Sequence, residues 1–188
     1  MFAREAVRRG VDYLGLIFAD GSPRRIDIAT ARDIVSSVKG ARFVGVFAGA
    51  GVAEIAAVLD SVSLDVVQLH GGYGAEAVTA LKARGIEVWR LYDGTFAGED
   101  ATLIDGRDGI RLGGTGLLAD WSLVGEVKLT GRRVVLAGGI SSYNIVAAVA
   151  TGADIIDINS SLETSPGEKS VERLDALIAK LKRLRAYA

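Results

Sequence analysis

Short runs of β-branched and aromatic residues alternate along the chain with longer segments of helical period. The runs are Tyr13–Phe18, Arg42–Phe47, Asp65–His70, Glu87–Tyr92, Ala101–Asp105, Arg133–Ala137 and Asp154–Ile158. They are nearly continuous in hydrophobicity, as strands covered on both faces are. Between them Ile28, Ala31, Ile34, Val35 and Val38 form one helical stripe, and Val52, Ile55, Ala56, Leu59 and Val62 another. Val171, Leu174, Leu177, Ile178, Leu181 and Leu184 mark a closing helix with Ser170 as its N-cap, while Asp27, Asp120 and Ser141 are cap candidates for three others. Phe2, Ala3, Ala6 and Val7 predict a helix at the start, ending near Gly10.

Strand–helix alternation predicts a parallel sheet with helical crossovers, here as a single α/β domain over residues 1–188. The run LGLIFADG at Leu14–Gly21 is similar to VGVFAGAG at Val44–Gly51, as successive βα units are. Seven strands are predicted. A (βα)8 TIM barrel has eight and opens on one. The pattern alone therefore leaves two architectures open: a barrel missing its first strand, and a seven-stranded doubly wound sheet.

Composition narrows the partners. Lys plus Arg number 22 against 23 Asp plus Glu, a balance that leaves no electrostatic footprint for nucleic acid or an anionic membrane. There is no cysteine and a single histidine, His70, so disulfides, thiolate metal sites and multi-histidine sites are excluded, and no clustered Asp/Glu motif points to magnesium. Val134–Ala153 carries no charge over nearly the length of a membrane span, but Gly138, Gly139, Ser141, Ser142, Tyr143 and Asn144 lie at its centre. A buried strand, a turn and a helix explain it. Arg4, Arg8 and Arg9 are not followed by an apolar signal core, so a cytoplasmic protein is expected.

Candidate chemistry collects where the strands end. In both architectures functional groups sit at the carboxyl ends of strands. There the chain places Ser22-Pro23-Arg24, then Gln68-Leu69-His70-Gly71, Asp105, Gly138-Gly139, and Asp157 with Asn159-Ser160-Ser161. Gly138-Gly139 ahead of a helix suits backbone amides approaching an anion, or an ordinary tight turn. Ser160-Ser161 on the next strand end, before Thr164-Ser165-Pro166-Gly167, favours phosphate, which recurs between the last two loops of barrels. The Arg24 guanidinium suits a carboxylate or phosphate, or a salt bridge to Asp27 or Glu5. Asp105, at the rim of an apolar strand, suits general-acid use or loop capping. His70 suits polarising a substrate oxygen or, as a buried histidine, bonding to backbone. Gly113-Gly114-Thr115-Gly116 reads as a loop, because no strand feeds directly into it.

At these residues the sequence resembles the phosphoribosylanthranilate isomerase family of tryptophan synthesis. The matching segments are LGLIFADGSPRRI, FVGVFA, VVQLHG, LIDGRDGIRLGGTGLLADWSL, VVLAGGISSYN and DINSSLETSPGEK, in family order across nearly the whole chain. LGLIF with the closing LRAY is similar to the isomerase half of fused bacterial proteins, which implies an indole-glycerol-phosphate synthase domain as a partner in the parent protein. The resemblance implies an Amadori rearrangement of N-(5-phosphoribosyl)anthranilate without cofactor or metal. It implies Asp105 as the acid that protonates the ring oxygen, Arg24 on the anthranilate carboxylate and Asp157 near the ribose. The phosphate would be held by backbone around Gly138, Gly139, Ser160 and Ser161.

Two departures accompany the resemblance. Ser161 stands where many members carry glycine or alanine. The family also opens with a Lys-x-Cys-Gly strand whose cysteine is the general base, whereas this chain starts one element later and has no cysteine. Little turnover is therefore expected, with weak self-association through unpaired sheet edges. The alternatives are a non-catalytic phosphate-binding barrel fragment and another phosphosugar barrel such as the imidazole-carboxamide isomerase. The latter needs a phosphate loop in the first half that this chain does not show.

Overall fold

The computed structural model describes residues 1–106 and 121–186 and divides into two compact units, Met1–Asp100 and Ala101–Ala188. The first unit holds β1 (Tyr13–Ile17), β2 (Arg42–Ala48), β3 (Val66–His70) and β4 (Glu87–Leu91), with helices α1 (Phe2–Arg8), α2 (Ile28–Ser37), α3 (Val52–Ser61) and α4 (Ala75–Lys82). The second holds β5 (Ala101–Asp105), β6 (Val134–Ala137) and β7 (Ile155–Ile156), with α5 (Ser122–Leu129), α6 (Ile145–Ala150) and α7 (Val171–Ala186). Seven parallel strands follow one another in chain order. That order never reverses, which sets aside the doubly wound alternative.

The predicted runs become strands because both their faces are covered. In the first unit Phe47, Val67, Leu69 and Val88 pack with Ile55 of α3 and with Val78 and Leu81 of α4, none more than 2% exposed. In the second unit Val134, Val135 and Leu136 are fully buried, as are Val124 of α5 and Ile145 and Ala148 of α6. Each buried aliphatic side chain of this kind contributes roughly 1.5–3 kcal/mol relative to exposure. α2 starts as predicted, with the Asp27 carboxylate accepting from Thr30 N at 2.7 Å. Ser170 likewise accepts from Arg173 N at 3.2 Å at the start of α7. The uncharged stretch is β6, a turn and the short α6, and among the described residues no helix is long and apolar enough to cross a membrane.

Some boundaries differ from the pattern. α6 begins at Ile145, and Ser141 is not its cap. The Ser141 hydroxyl instead accepts from Tyr143 N at 3.2 Å, closing a local turn that delays the helix. β7 is only two residues long, because Asp154 is drawn off to β6 at one end and Asp157 N turns to Leu136 O, 2.8 Å away, at the other. The loop at Thr164–Gly167 is the tip of a small antiparallel hairpin, β8 (Glu163–Ser165) with β9 (Glu168–Lys169), which the turn residues alone did not reveal. The cap candidate Asp120 and the Gly113–Gly116 run lie outside the described residues.

A reciprocal pairing recurs where strands begin. Asp65 N donates to Phe43 O at 2.9 Å, while the Asp65 carboxylate accepts from Phe43 N at 2.7 Å. Asp100 does the same with Val88, at 2.8 and 2.9 Å, and Asp154 with Val134, at 3.0 and 2.8 Å. Each aspartate stands immediately before a strand and holds an N–H at the start of the preceding strand, the first at Val134 and the second at Phe43 and Val88. Without that carboxylate the amide would be left unpaired at a buried end. Burial pushes the Asp154 carboxyl up, but the Lys128 ammonium at 2.7 Å and the Val134 amide outweigh it and hold it below the ordinary range.

Candidate active site

Every candidate residue lies at or just beyond the carboxyl end of its strand. Within the first unit, Arg24 is in the loop after β1 and His70 closes β3. Arg24 N donates to Ser22 Oγ at 3.2 Å, which shapes the loop that carries the guanidinium. The neighbours proposed for a salt bridge have other work: Glu5 pairs with Arg8 and Arg9 at 2.7 and 2.6 Å, and Asp27 caps α2. His70 is half-buried, with Nε2 2.9 Å from Nε2 of the buried Gln68 two residues earlier on the same strand face. The histidine ring is thus oriented by a side chain from its own strand.

Within the second unit the structure brings Asp105 and Gly138 together. Asp105 ends β5, Gly138 follows β6, and the two strands pair through Asp105 and Ala137. Gly138 adopts φ +86°, and a Cβ there would meet Gly106 N at 2.3 Å and Asp105 Oδ1 at 2.7 Å. Both demands exclude any other residue. The glycine that the sequence offered for phosphate is the surface against which the Asp105 carboxylate lies.

The turn beyond it is braced from inside. Asn144 Oδ1 accepts from Ser141 N at 2.7 Å, and Asn144 Nδ2 donates to Gly139 O at 3.1 Å. Ser161, in the 3-10 turn Ser160–Leu162, donates its hydroxyl to Ile140 O at 2.6 Å and so ties the two candidate phosphate loops together. The departure from glycine or alanine at this position is a strut. Among the described residues the N–H groups of Gly139 and Ser161 are not engaged by any hydrogen bond. Asp157, just past β7, is anchored by its own amide on Leu136 O.

Three supporting residues escaped the sequence reading. Asn144 looked like one more turn residue. Lys169 and Glu163 pair at 2.8 Å across the β8–β9 hairpin, and the same ammonium donates to Asn159 O at 3.0 Å, fixing the chain just ahead of Ser160. Glu163 is 5% exposed, so the pair is largely desolvated. The hairpin that brings Lys169 back to Asn159 was the missing signal. No group of three or more metal-ligating side chains occurs among the described residues.

Parallel strands in chain order, helices between them and polar groups gathered at carboxyl strand ends define an enzyme of the βα-barrel class. The chain matches the N-(5'phosphoribosyl)anthranilate (PRA) isomerase family over residues 3–180, and it belongs to that family. It is 32% identical to the N-(5'-phosphoribosyl)anthranilate isomerase of Campylobacter jejuni, over 96% of this chain and 93% of that one. It is 35% identical to the tryptophan biosynthesis protein TrpCF of Vibrio parahaemolyticus, covering 93% of this chain but only 37% of that longer protein. The crystal structure of phosphoribosyl anthranilate isomerase from Thermus thermophilus superposes with a TM-score of 0.86 at 32% identity, covering 97% of this chain and 94% of that one.

Proposed function

We propose that this chain binds N-(5-phosphoribosyl)anthranilate and isomerises it slowly, because its 188 residues include an acid for the first step but no thiolate for the second. The observation that carries the reading is the Asp105 carboxylate lying against Gly138, with the Gly139 and Ser161 amides unengaged among the described residues. In the first step Asp105 gives its proton to the ring oxygen as the C–O bond breaks, leaving an open-chain imine. In the second a base removes the proton from the adjacent carbon, and the resulting enamine tautomerises to the aminoketone. No external oxidant or reductant is required.

The remaining roles follow the chemistry of the groups. Backbone N–H groups of Gly139 and Ser161, with Gly138 and Ser160 shaping the two turns, receive the phosphate. Arg24 takes the anthranilate carboxylate, where a planar guanidinium can bond bidentately. His70 suits polarising a substrate oxygen, and Asp157 takes the place near the ribose that the family resemblance implies. A positioned base is worth typically 10²- to 10⁴-fold. The chain has no cysteine, and turnover about 10³-fold below a cysteine-bearing relative is expected. The Vibrio relative also supports a place for this chain beside an indole-glycerol-phosphate synthase domain.

The test is the loss of anthranilate-type fluorescence when the substrate is mixed with this chain and with its Asp105→Asn variant. Slow turnover abolished by Asp105→Asn supports the assignment. Turnover unchanged by that substitution removes Asp105 from the mechanism. Substrate binding with no turnover at all favours the second reading, a phosphate-binding barrel without catalysis, which the missing thiolate supports.

A further inference from the structure

The loop that leads the chain away from His70 is held by one side chain. His70 ends β3, α4 begins at Ala75, and between them stand Gly71, Gly72, Tyr73 and Gly74. No atom lies within 4 Å of the place a Cβ would take at any of the three glycines, so nothing packs the loop there. Glycine backbone surrenders the most conformational freedom on ordering, and such a loop needs an anchor.

Tyr73 supplies it through three groups. Its N–H donates to Gly71 O at 2.8 Å, its carbonyl accepts from Arg90 Nε, and its hydroxyl donates to Ala50 O at 2.9 Å. Its side chain packs against the apolar cluster that contains Phe47, Ile55 and Leu69. Burial pushes the Tyr73 hydroxyl above its ordinary range, so it stays protonated and remains a donor.

The hydroxyl bond falls at a telling place in the sheet. β2 and β3 run parallel, and their last paired residues are Ala48 and His70. Ala50 lies two residues past the first and Tyr73 three past the second. The bond therefore clamps the two chains just beyond His70, where the ladder between them has ended. On the other side the Gln68 amide meets His70 Nε2 at 2.9 Å. His70 thus stands between a contact within its own strand and a clamp beyond it.

Arg90 fixes that clamp from the next strand. It lies on β4 and is 3% exposed. Besides Tyr73 O it donates to Thr95 O at 3.1 Å and to the Asp93 carboxylate. Asp93 in turn accepts from Thr95 N at 3.1 Å and Thr95 Oγ1 at 2.7 Å. One planar guanidinium thereby joins the loop after β3 to the loop after β4, while Tyr73 joins it to the loop after β2.

We propose that Tyr73, locked by Arg90, is a positioning residue that acts through His70, holding the end of β3 so that the imidazole meets the substrate oxygen it polarises. This role rests on the part His70 plays in the proposed isomerisation, and Tyr73 itself takes no part in the chemistry.

The test is a double-mutant cycle of Tyr73→Phe, which keeps the ring and removes only the hydroxyl, with His70→Gln. Affinity for N-(5-phosphoribosyl)anthranilate is read by calorimetric titration, and turnover by loss of its fluorescence. Tyr73→Phe should weaken binding or slow turnover about tenfold, inside the roughly 10²-fold that a misplacement of about 1 Å can cost. In the His70→Gln background it should change neither. An equal loss with and without His70 would show Tyr73 bracing the fold alone and overturn the positioning role. If His70→Gln by itself changes neither quantity, the part given to His70 falls and the role of Tyr73 falls with it. A second readout requires no substrate, and so separates failure of the clamp from failure of the proposed function. His70 is the only histidine of the chain, so its ring gives a single set of imidazole resonances. Tyr73→Phe and Arg90→Lys, which keeps the charge without the fork, should each shift or broaden that set. Unchanged resonances in both variants would overturn the clamp.

Discussion

Replacing Gly138 by alanine tests the construction of the acid site directly. Two penalties apply. The backbone stands at φ +86°, which costs an L-residue roughly 1–2 kcal/mol. The new Cβ would also lie 2.3 Å from Gly106 N and 2.7 Å from Asp105 Oδ1. The first of these is backbone and cannot swing aside, so overpacking adds about 1–3 kcal/mol. Gly152 separates the two contributions, since it has φ +79° and no atom within 4 Å of an added Cβ. Gly152→Ala should therefore cost about 1–2 kcal/mol, and Gly138→Ala about 2–5 kcal/mol. In a chain of this size each kcal/mol moves Tm by roughly 2–4 °C. Urea unfolding of the two variants side by side gives the difference. Relief at the site must shift the Gly106 backbone and with it the adjoining Asp105, and under the role proposed for Asp105 a displacement of about 1 Å at a reacting group can cost on the order of 10²-fold in rate. Equal losses of stability in the two alanine variants would refute the close packing of Gly138 on Asp105.

Asp154→Ala leaves the buried Val134 amide without its acceptor and should cost about 2–3 kcal/mol by denaturant titration. The Asp154 carboxyl is held below its ordinary range, so its contribution is complete above the unfolded carboxylate pKa and is lost as pH falls through the lower folded value. The variant should accordingly show a shallower acid-side loss of stability than the parent. Ser161→Ala removes the 2.6 Å bond to Ile140 O and should cost about 1 kcal/mol. Titration with inorganic phosphate should nevertheless still raise its Tm, because the amide remains. Arg90 is 3% exposed and donates to Tyr73 O, Thr95 O and Asp93, so Arg90→Met should strip several acceptors at once and cost about 3–5 kcal/mol, read from its thermal midpoint.

Strands and the longer amphipathic helices were legible because burial on two faces or on one stripe is written directly in residue order. Ile55, Leu69 and Val135 are fully buried where the pattern put them. Asp105 and Asp157 were legible as polar residues ending apolar runs. The packing of the diglycine turn on Asp105 was not, because the contact of Gly138 with Asp105 joins positions 33 residues apart whose closeness depends on strand register. Ser141 misled for a local reason, since its side chain satisfies a turn amide before the helix can start. The Lys169–Asn159 bond depends on a hairpin of three- and two-residue strands, too short to carry a periodic signal.

The aspartates that precede β3 and β7 also decide where the polypeptide tolerates being cut. Asp65 is bonded to Phe43 across 22 positions that include all of α3, and Asp154 to Val134 across 20 that include α6. A break inside either helix leaves two ends still fastened to each other at the strand starts. A break in α2 or α4 is spanned by no such bond, so the pieces part there first. Split halves and rearranged termini should hence reassemble best when the new ends fall between β2 and β3 or between β6 and β7, where the chain already carries its own fastening.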